Sequence, residues 1–362
     1  MEPEPAAPML SVVIPHLRGR DAFMSCLGAL DRVRPEPEIV VVDNACEDGS
    51  VADAQAAFPA LRVIRSEVNR GYAGGCNLGL EHVRGRWCVF LNDDAIVETG
   101  AIEALLERLE VHGPEEAPLL QPVLRSAAEP ERFDYAGGAG GLIDRWGYPF
   151  ALGRLFETCE IDTGQYAGTG PLAWASGCCL AGATAAFRSL GGFEESYFAH
   201  FEEIDLCWRL RRSGGRIESV PEAIVLHRGA ATLPTGGRKT YLNFRNNIWT
   251  LRRNLPLSRL AVVLALRALL DTAAVVRWLL RGEVVTALAA VRGWWAGVLR
   301  RPWAVIVPPR SQQAPRTSEG VYRGCLPWAY WVRGVRSAAE LLPRTRGWNT
   351  TPGRDSGQGE GA

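Results

Sequence analysis

Two short stretches and one histidine of this 362-residue chain gather groups that could do chemistry. Asn92-Asp93-Asp94 follows the apolar run Trp87 to Leu91. Adjacent carboxylates at a strand end repel each other unless a cation or hydrogen-bond donors compensate. Hard oxygen ligands point to Mg²⁺ or Mn²⁺, usually shared with a diphosphate. The same residues could instead cap a following helix. The run Phe201 to Arg212 holds Glu202, Glu203 and Asp205. On a helix Glu202 and Asp205 share a face, and Glu203 is turned away by about 100°. A carboxylate at a cleft-facing helix start could act as a general base. The alternative is that acids simply favour a first helical turn. His227 closes the run Ala-Ile-Val-Leu-His and could bind metal or phosphate, or be structural.

A further stretch, Asn69 to Gly79, carries Gly71, Gly74, Gly75 and Gly79. Glycines let backbone approach a ligand and expose N–H groups to phosphate at a helix start. The spacing fits neither the dinucleotide fingerprint nor the P-loop, so a plain tight turn competes with a nucleotide loop.

The elements that must position these groups read as strand–helix alternation. Apolar runs at 10–15, 38–43, 61–64 and 87–91 predict strands, and 21–33, 51–58 and 99–111 predict helices. Continuous apolar strands predict a mostly parallel, Rossmann-like sheet covered on both faces by helices. Ligands of such sheets bind at the strands' carboxyl ends, where Asp43 and Asn92-Asp93-Asp94 fall. Residues 112–175 have no clean period and read as loops and short strands on the acceptor side of a cleft. A helix is expected over 201–212 and one or two strands over 217–226.

The C-terminal third differs. Residues 256–300 are apolar but repeatedly interrupted by charge, and the longest charge-free run is the eight residues Val284 to Val291. A spanning helix needs about 20. With Arg259 at zero, Arg267 falls at about 80°, Asp271 at 120°, Arg277 at 0°, Arg281 at 40° and Arg292 at 60°, with Glu283 apart near 240°. Such a helix either docks on the catalytic domain or lies in a membrane interface, where Trp278, Trp294, Trp295 and Trp303 would suit. The expected organisation is a leader at 1–8, a catalytic domain at 9–245, an amphipathic helical extension at 246–307 and a partly disordered tail at 308–362. Within the tail, Leu326 to Val335 is an apolar island that could dock.

In context the blocks resemble a known family. SVVIP at 11–15, VVDNACEDGS at 41–50, NRGYAGGCNLG at 69–79, FLNDDA at 90–95, SGCCL at 176–180, the run 191–215 and His227 together resemble the family 2 inverting glycosyltransferases with the GT-A fold. The likeness is greatest to a rhamnosyltransferase-like branch and covers about residues 9–230. It implies that Pro15, Asp43, Asn69, Arg70, Gly71, Gly74, Asn77 and Asp93 line the nucleotide pocket. It implies that Asp94 and His227 bind Mg²⁺ or Mn²⁺, that Glu203 is the base and that Asp205 is the fallback. The donor would be a nucleoside diphosphate sugar, dTDP-rhamnose first, and the acceptor a glycan or polyprenyl-linked hydroxyl at the cytoplasmic membrane face. Two departures stand out: Asn92 opens the metal motif in place of Asp, and Glu203 replaces Asp as base. The extra methylene adds roughly 1 Å, a displacement that can cost about 100-fold in rate unless the pocket compensates.

Two other classes compete. A nucleotidyltransferase would need a basic glycine-rich signature after the first strand, where the chain has Pro15-His-Leu-Arg-Gly-Arg20. A catalytically silent scaffold would lack the metal or base acids, and Asp94 and Glu203 are both present. Nine cysteines form no CxxC pair and no zinc spacing, so buried free thiols are expected, and residues 1–10 lack a signal-peptide pattern. Forty basic and forty acidic residues cancel, which excludes a uniformly basic nucleic-acid binder. The cancellation is uneven: residues 1–237 carry −14 and residues 238–362 carry +14. A basic, apolar, tryptophan-bearing half suits an anionic membrane surface.

Overall fold

A computed structural model describes residues 8–168, 170–229, 236–300 and 318–348. The expected leader 1–8, save Pro8, lies outside them. So do 301–317 and 349–362 of the expected extension and tail.

The first four strands form as their apolar runs require. They are β1 (Leu10–His16), β2 (Glu38–Asn44), β3 (Arg62–Ser66) and β4 (Trp87–Leu91), ordered β3-β2-β1-β4 and all parallel. The crossovers are α1 (Arg20–Leu30), α2 (Ser50–Ala57) and α3 (Gly71–His82). Both faces of β1 are buried, which is why its run is continuous. Leu10, Val12 and Ile14 join the cluster that contains Phe23, Cys26 and Leu27 of α1, while Val13 joins that of Ala73, Cys76 and Leu80 of α3.

The glycines of 69–79 fall mostly inside α3, and two of them serve packing. A Cβ on Gly75 would come 2.8 Å from Pro15 Cβ, and one on Gly79 would overlap the Val13 side chain. Glycine there lets the helix lie close on β1.

The chain continues through β5 (Ala95–Val97), α4 (Ala101–Glu116), β6 (Leu119–Ser126), β7 (Gly141–Asp144), β8 (Pro149–Ala151), β9 (Arg154–Leu155) and β10 (Thr158–Cys159). Then come β11 (Cys179–Ala183), α5 (Thr184–Ser189), α6 (Glu202–Arg212) and β12 (Ile217–His227). The main sheet has eight strands in the order β3-β2-β1-β4-β11-β6-β12-β5.

Here the expected mostly parallel Rossmann-like sheet is corrected. The sheet is mixed, because β11 runs antiparallel to both β4 and β6, and β5 antiparallel to β12. The reason is where β11 enters. Cys179 pairs with Leu91, the last residue of β4, so the chain returns at the edge where β4 ended and must run backwards. Between them, β7 to β10 build a second sheet, ordered β10-β9-β8-β7-β13, with β13 (Val321–Tyr322) arriving from the tail.

The last helices are α7 (Gly237–Asn254), α8 (Leu257–Leu280) and α9 (Val284–Leu299). The apolar island of the tail does dock: Leu326, Ala329, Tyr330 and Val335 are buried in the core cluster that also holds Leu142 and Phe150.

Candidate active site

The carboxyl ends of β1, β2, β4, β6 and β12 share one edge of the main sheet. His16 stands opposite Asp43, and His227 opposite Ser126. Asn92-Asp93-Asp94 forms the turn from β4 into β5 at the same edge. It does not cap α4, whose N-cap is Gly100, so the capping alternative is set aside.

Asp94 and His227 are brought together. His227 Nε2 lies 3.1 Å from Asp94 Oδ1, and both side chains are buried. Asn92 Nδ2 is 3.4 Å from the same Nε2. On the far side of the ring, His227 Nδ1 lies 2.9 Å from Asp134 Oδ1. Burial opposes charge on His227, but Cys178, Asp134 and Asp94 outweigh it and raise its affinity for a proton. Burial likewise opposes the Asp94 carboxylate, and His227 outweighs it, so the Asp94 pKa lies below the usual range. A ring and a carboxylate in so negative a setting also attract a cation. A carboxylate on the far nitrogen of a metal-binding histidine holds the tautomer that presents the other nitrogen. The donors Asp94 and His227, with Asp134 behind the ring, therefore fit a hard divalent ion.

Asp93 is spent differently. Its Oδ2 sits 2.7 Å from His16 Nδ1, and His16 Nε2 is 2.7 Å from Ser50 Oγ. The His16 ring stacks on Phe23 at 4.0 Å, so this chain ties the ends of β1 and β4 to α2. His16, Cys46 and Asp48 also place donor atoms within 4.8 Å of one another. They could hold a metal by spacing, but both His16 nitrogens are engaged, and burial raises the Cys46 thiol when a thiolate is what binds metal.

The expected nucleotide residues divide into two groups. Pro15, Asp43, Asn69, Arg70 and Gly71 lie at the strand-end edge. Asp43 Oδ1 accepts from the Cys46 N–H at 2.9 Å, and Asn69 Oδ1 from the Gly71 N–H at 2.8 Å. Asn44 fixes the loop by accepting from the Arg70 N–H (2.8 Å) and donating to the Gly71 carbonyl (3.0 Å). Gly74 and Asn77 face elsewhere. A Cβ on Gly74 would meet Arg70 Cβ at 2.7 Å, and the Asn77 amide is held by the Phe193 backbone and Glu195. Asn77 thus positions the segment leading to the acids.

That segment is strained. Phe198, His200 and Phe201 have φ of 66°, 69° and 74°, a region non-glycine residues rarely occupy. Asn246 of α7 holds it by donating to the carbonyls of Tyr197, Ala199 and His200 at 3.1, 2.9 and 2.7 Å. Immediately afterwards α6 begins with Glu202 and Glu203. Each has an enclosed Oε2 without a hydrogen-bond partner. Burial pushes Glu203 up to about 7. Glu202 is raised further, by burial and by the charge of Glu203.

Asp205 is the opposite case. It is fully enclosed, with Arg209 Nε at 2.8 Å, Arg253 Nη1 at 3.1 Å and Asn254 Nδ2 at 3.1 Å. Its oxygens are committed to locking α6 onto α7.

Three residues escaped the sequence reading: Asp134, His16 and Asn246. Asp134 lies in a stretch with no period, 93 residues from the histidine it orients, and only the fold joins them.

Residues 11–117 match glycosyl transferase family 2. The chain is similar to the N-acetylglucosaminyl-diphospho-decaprenol L-rhamnosyltransferase of Mycobacterium tuberculosis, 29% identical over 234 residues, covering 60% of this chain and 73% of that protein. In structure it resembles GalNAc-T7 with UDP, GalNAc and Mn²⁺ (TM-score 0.54, 14% identity), over 69% of this chain and about half, 48%, of that one. It also resembles the mannosyltransferase PcManGT of Pyrobaculum calidifontis with GDP-Man and Mn²⁺ (TM-score 0.50, 15% identity), over 82% and 88% of the two chains. The similarity is distant and spans transferases of several sugars rather than rhamnosyltransferases alone. The match to glycosyl transferase family 2 thus covers residues 11–117, and these residues sit in a GT-A-like fold.

Proposed function

We propose that the protein transfers a rhamnose-like sugar from a nucleoside diphosphate donor, dTDP-rhamnose first, to a hydroxyl of a glycan or polyprenyl-linked acceptor, with inversion. The rhamnosyltransferase relative supports that choice of donor and acceptor class. The observation that carries the reading is Glu203, a half-buried carboxylate with one unpartnered oxygen and a pKa pushed up to about 7. A base tuned near the working pH is what deprotonating a sugar hydroxyl needs.

Glu203 takes the acceptor's proton as its oxygen attacks the sugar C1. The C1–O bond to the diphosphate breaks, and the leaving group keeps the electron pair. Asp94 and His227 would hold Mg²⁺ or Mn²⁺, with Asp134 fixing the His227 tautomer. When bound, the cation supplies electrostatic stabilisation of the leaving diphosphate. Asp43, Pro15, Asn69, Arg70 and Gly71 bind the nucleotide, and Asp93 supports them through His16. Gly74 lets α3 pack closely beside Arg70, and Asn77 positions the segment that leads to Glu203. Asp205 does not serve as base in this reading. A carboxylate enclosed by two arginines and Asn254 has no oxygen free to reach an acceptor. The catalytic unit spans 9–245, the extension 246–307 is peripheral to the cytoplasmic face of a membrane, and the tail 308–362 packs in part on the second sheet.

The test is a panel of nucleotide sugars with Mg²⁺ or Mn²⁺, read as nucleoside diphosphate release with and without polyprenyl-linked acceptors. Asp94→Asn and Glu203→Gln are the controls. Full transfer by the Glu203→Gln protein overturns the base assignment.

A further inference from the structure

Helix α8 is inverted with respect to water. The middle of its charged stripe faces the protein: Arg267 and Asp271 are buried and paired at 3.1 Å, while Arg259 and Arg281 at its ends stay exposed. Arg267 donates to Asn247 of α7 and lies over the Tyr148 ring at 3.9 Å, and the Tyr148 hydroxyl donates to Asp271 at 2.6 Å. The opposite face carries Val262, Leu269, Val276 and Leu280, all exposed, Leu269 to 70% and Leu280 to 84%. On the wheel these four fall about 180° from the Arg267–Asp271 pair. A helix at a water surface has the reverse arrangement.

The same holds for α9. Its small residues press onto α7: a Cβ on Gly293 would lie 2.5 Å from the Tyr241 carbonyl oxygen, and one on Gly297 would lie 2.7 Å from Ile248 Cβ. That leaves Val284, Leu288, Val291, Trp295 and Leu299 as one exposed stripe, at helical spacing. The apolar surface continues onto the segment 328–332, where Trp328, Trp331 and Val332 are exposed and the Trp331 ring lies 5.4 Å from the Arg277 guanidinium.

What covers this surface is indicated by charge. The exposed ionic residues of the two helices and the turns beside them are Arg259, Arg281, Arg292 and Arg300, against Glu283. A second copy seated on the face would set these arginines against one another. An anionic leaflet attracts them. No helix among the described residues is long and apolar enough to cross a membrane. The arrangement suits lying in the interface.

We propose that α8 and α9, with the 328–332 segment, form a bilayer-insertion surface whose apolar stripes sit among the acyl chains of an anionic leaflet and whose arginines meet lipid phosphates. The proposal rests on the membrane-face reading above and specifies the surface. Through α7, which packs on α9 and holds the turn before Glu203, it fixes the active site relative to the lipid.

The test is flotation of the full chain with vesicles of mixed phosphatidylcholine and phosphatidylglycerol, without donor or metal. The wild type should float, less so with phosphatidylcholine alone. The combined Leu269→Asp, Leu280→Asp, Leu288→Asp variant changes only exposed positions. It should lose about tenfold or more in vesicle partition while melting at the wild-type temperature and binding nucleotide unchanged. Arg281→Glu with Arg292→Glu should weaken binding to the anionic vesicles selectively. The proposal is overturned if the wild type stays unbound, if the triple variant floats equally, or if light scattering shows a wild-type dimer that the triple variant dissolves. Because flotation uses no donor, its outcome is separate from the outcome of the transferase screen.

Discussion

Glu203 and Asp205 sit two positions apart on α6 and are predicted to behave as opposites. Glu203→Gln should lower kcat by about 10²–10⁴, the usual worth of a general base. It should also raise stability. A carboxylate whose folded pKa is raised to about 7 costs stability as pH rises through the range from its unfolded value to 7. Removing the charge should therefore stabilise the protein at pH 8 by about 1–3 kcal/mol, read by denaturant melts, with no gain at pH 4. The wild-type rate should fall below an apparent pKa near 7, because only the ionised base accepts a proton. Asp205→Asn removes the buried negative charge shared by Arg209 and Arg253 and should destabilise by about 3–5 kcal/mol. Asp134→Asn should weaken Mn²⁺ binding about 10–100-fold by titration calorimetry, since it releases His227 Nδ1. Asp94, His227 and Glu203 stand out in the sequence because each follows a strand, ends one or lies at a helix start in a recognisable run. Asp134 was not, because nothing local distinguishes an acid whose partner arrives through β12.

At the scale of elements, the strands were legible from their apolar runs and their directions were not. Direction depends on which edge the chain returns to, and the 127–178 excursion carries β11 back to the end of β4. The glycine run was legible as a place of close approach, but the approach is mainly of α3 to β1. Gly79→Ala would press a methyl onto Val13 and should cost about 1–3 kcal/mol without changing nucleotide specificity, read by melting and by donor KM. Helix α7 has no chemistry of its own in the sequence, yet Asn246 holds three carbonyls of the turn before Glu203. Those bonds keep the backbone in a conformation it would otherwise leave.

Across the whole molecule, the cancelled charge of the sequence resolves into geometry. The acidic part builds the strand-end site, and the basic part supplies arginines around an exposed apolar surface on α8 and α9. The wheel left two outcomes open, docking on the catalytic domain or lying in a membrane interface. The structure puts the Arg267–Asp271 pair of α8 against α7 and Tyr148, beside the second sheet, and turns the apolar stripe outward.

Glu203 is the residue on which transfer is predicted to depend most. The decisive measurement is the steady-state transfer rate of Glu203→Gln against wild type, with the donor selected by the nucleotide-sugar panel and saturating Mn²⁺. The prediction is a kcat lower by about 10²–10⁴ with donor KM little changed. Equal kcat in the two proteins would contradict it.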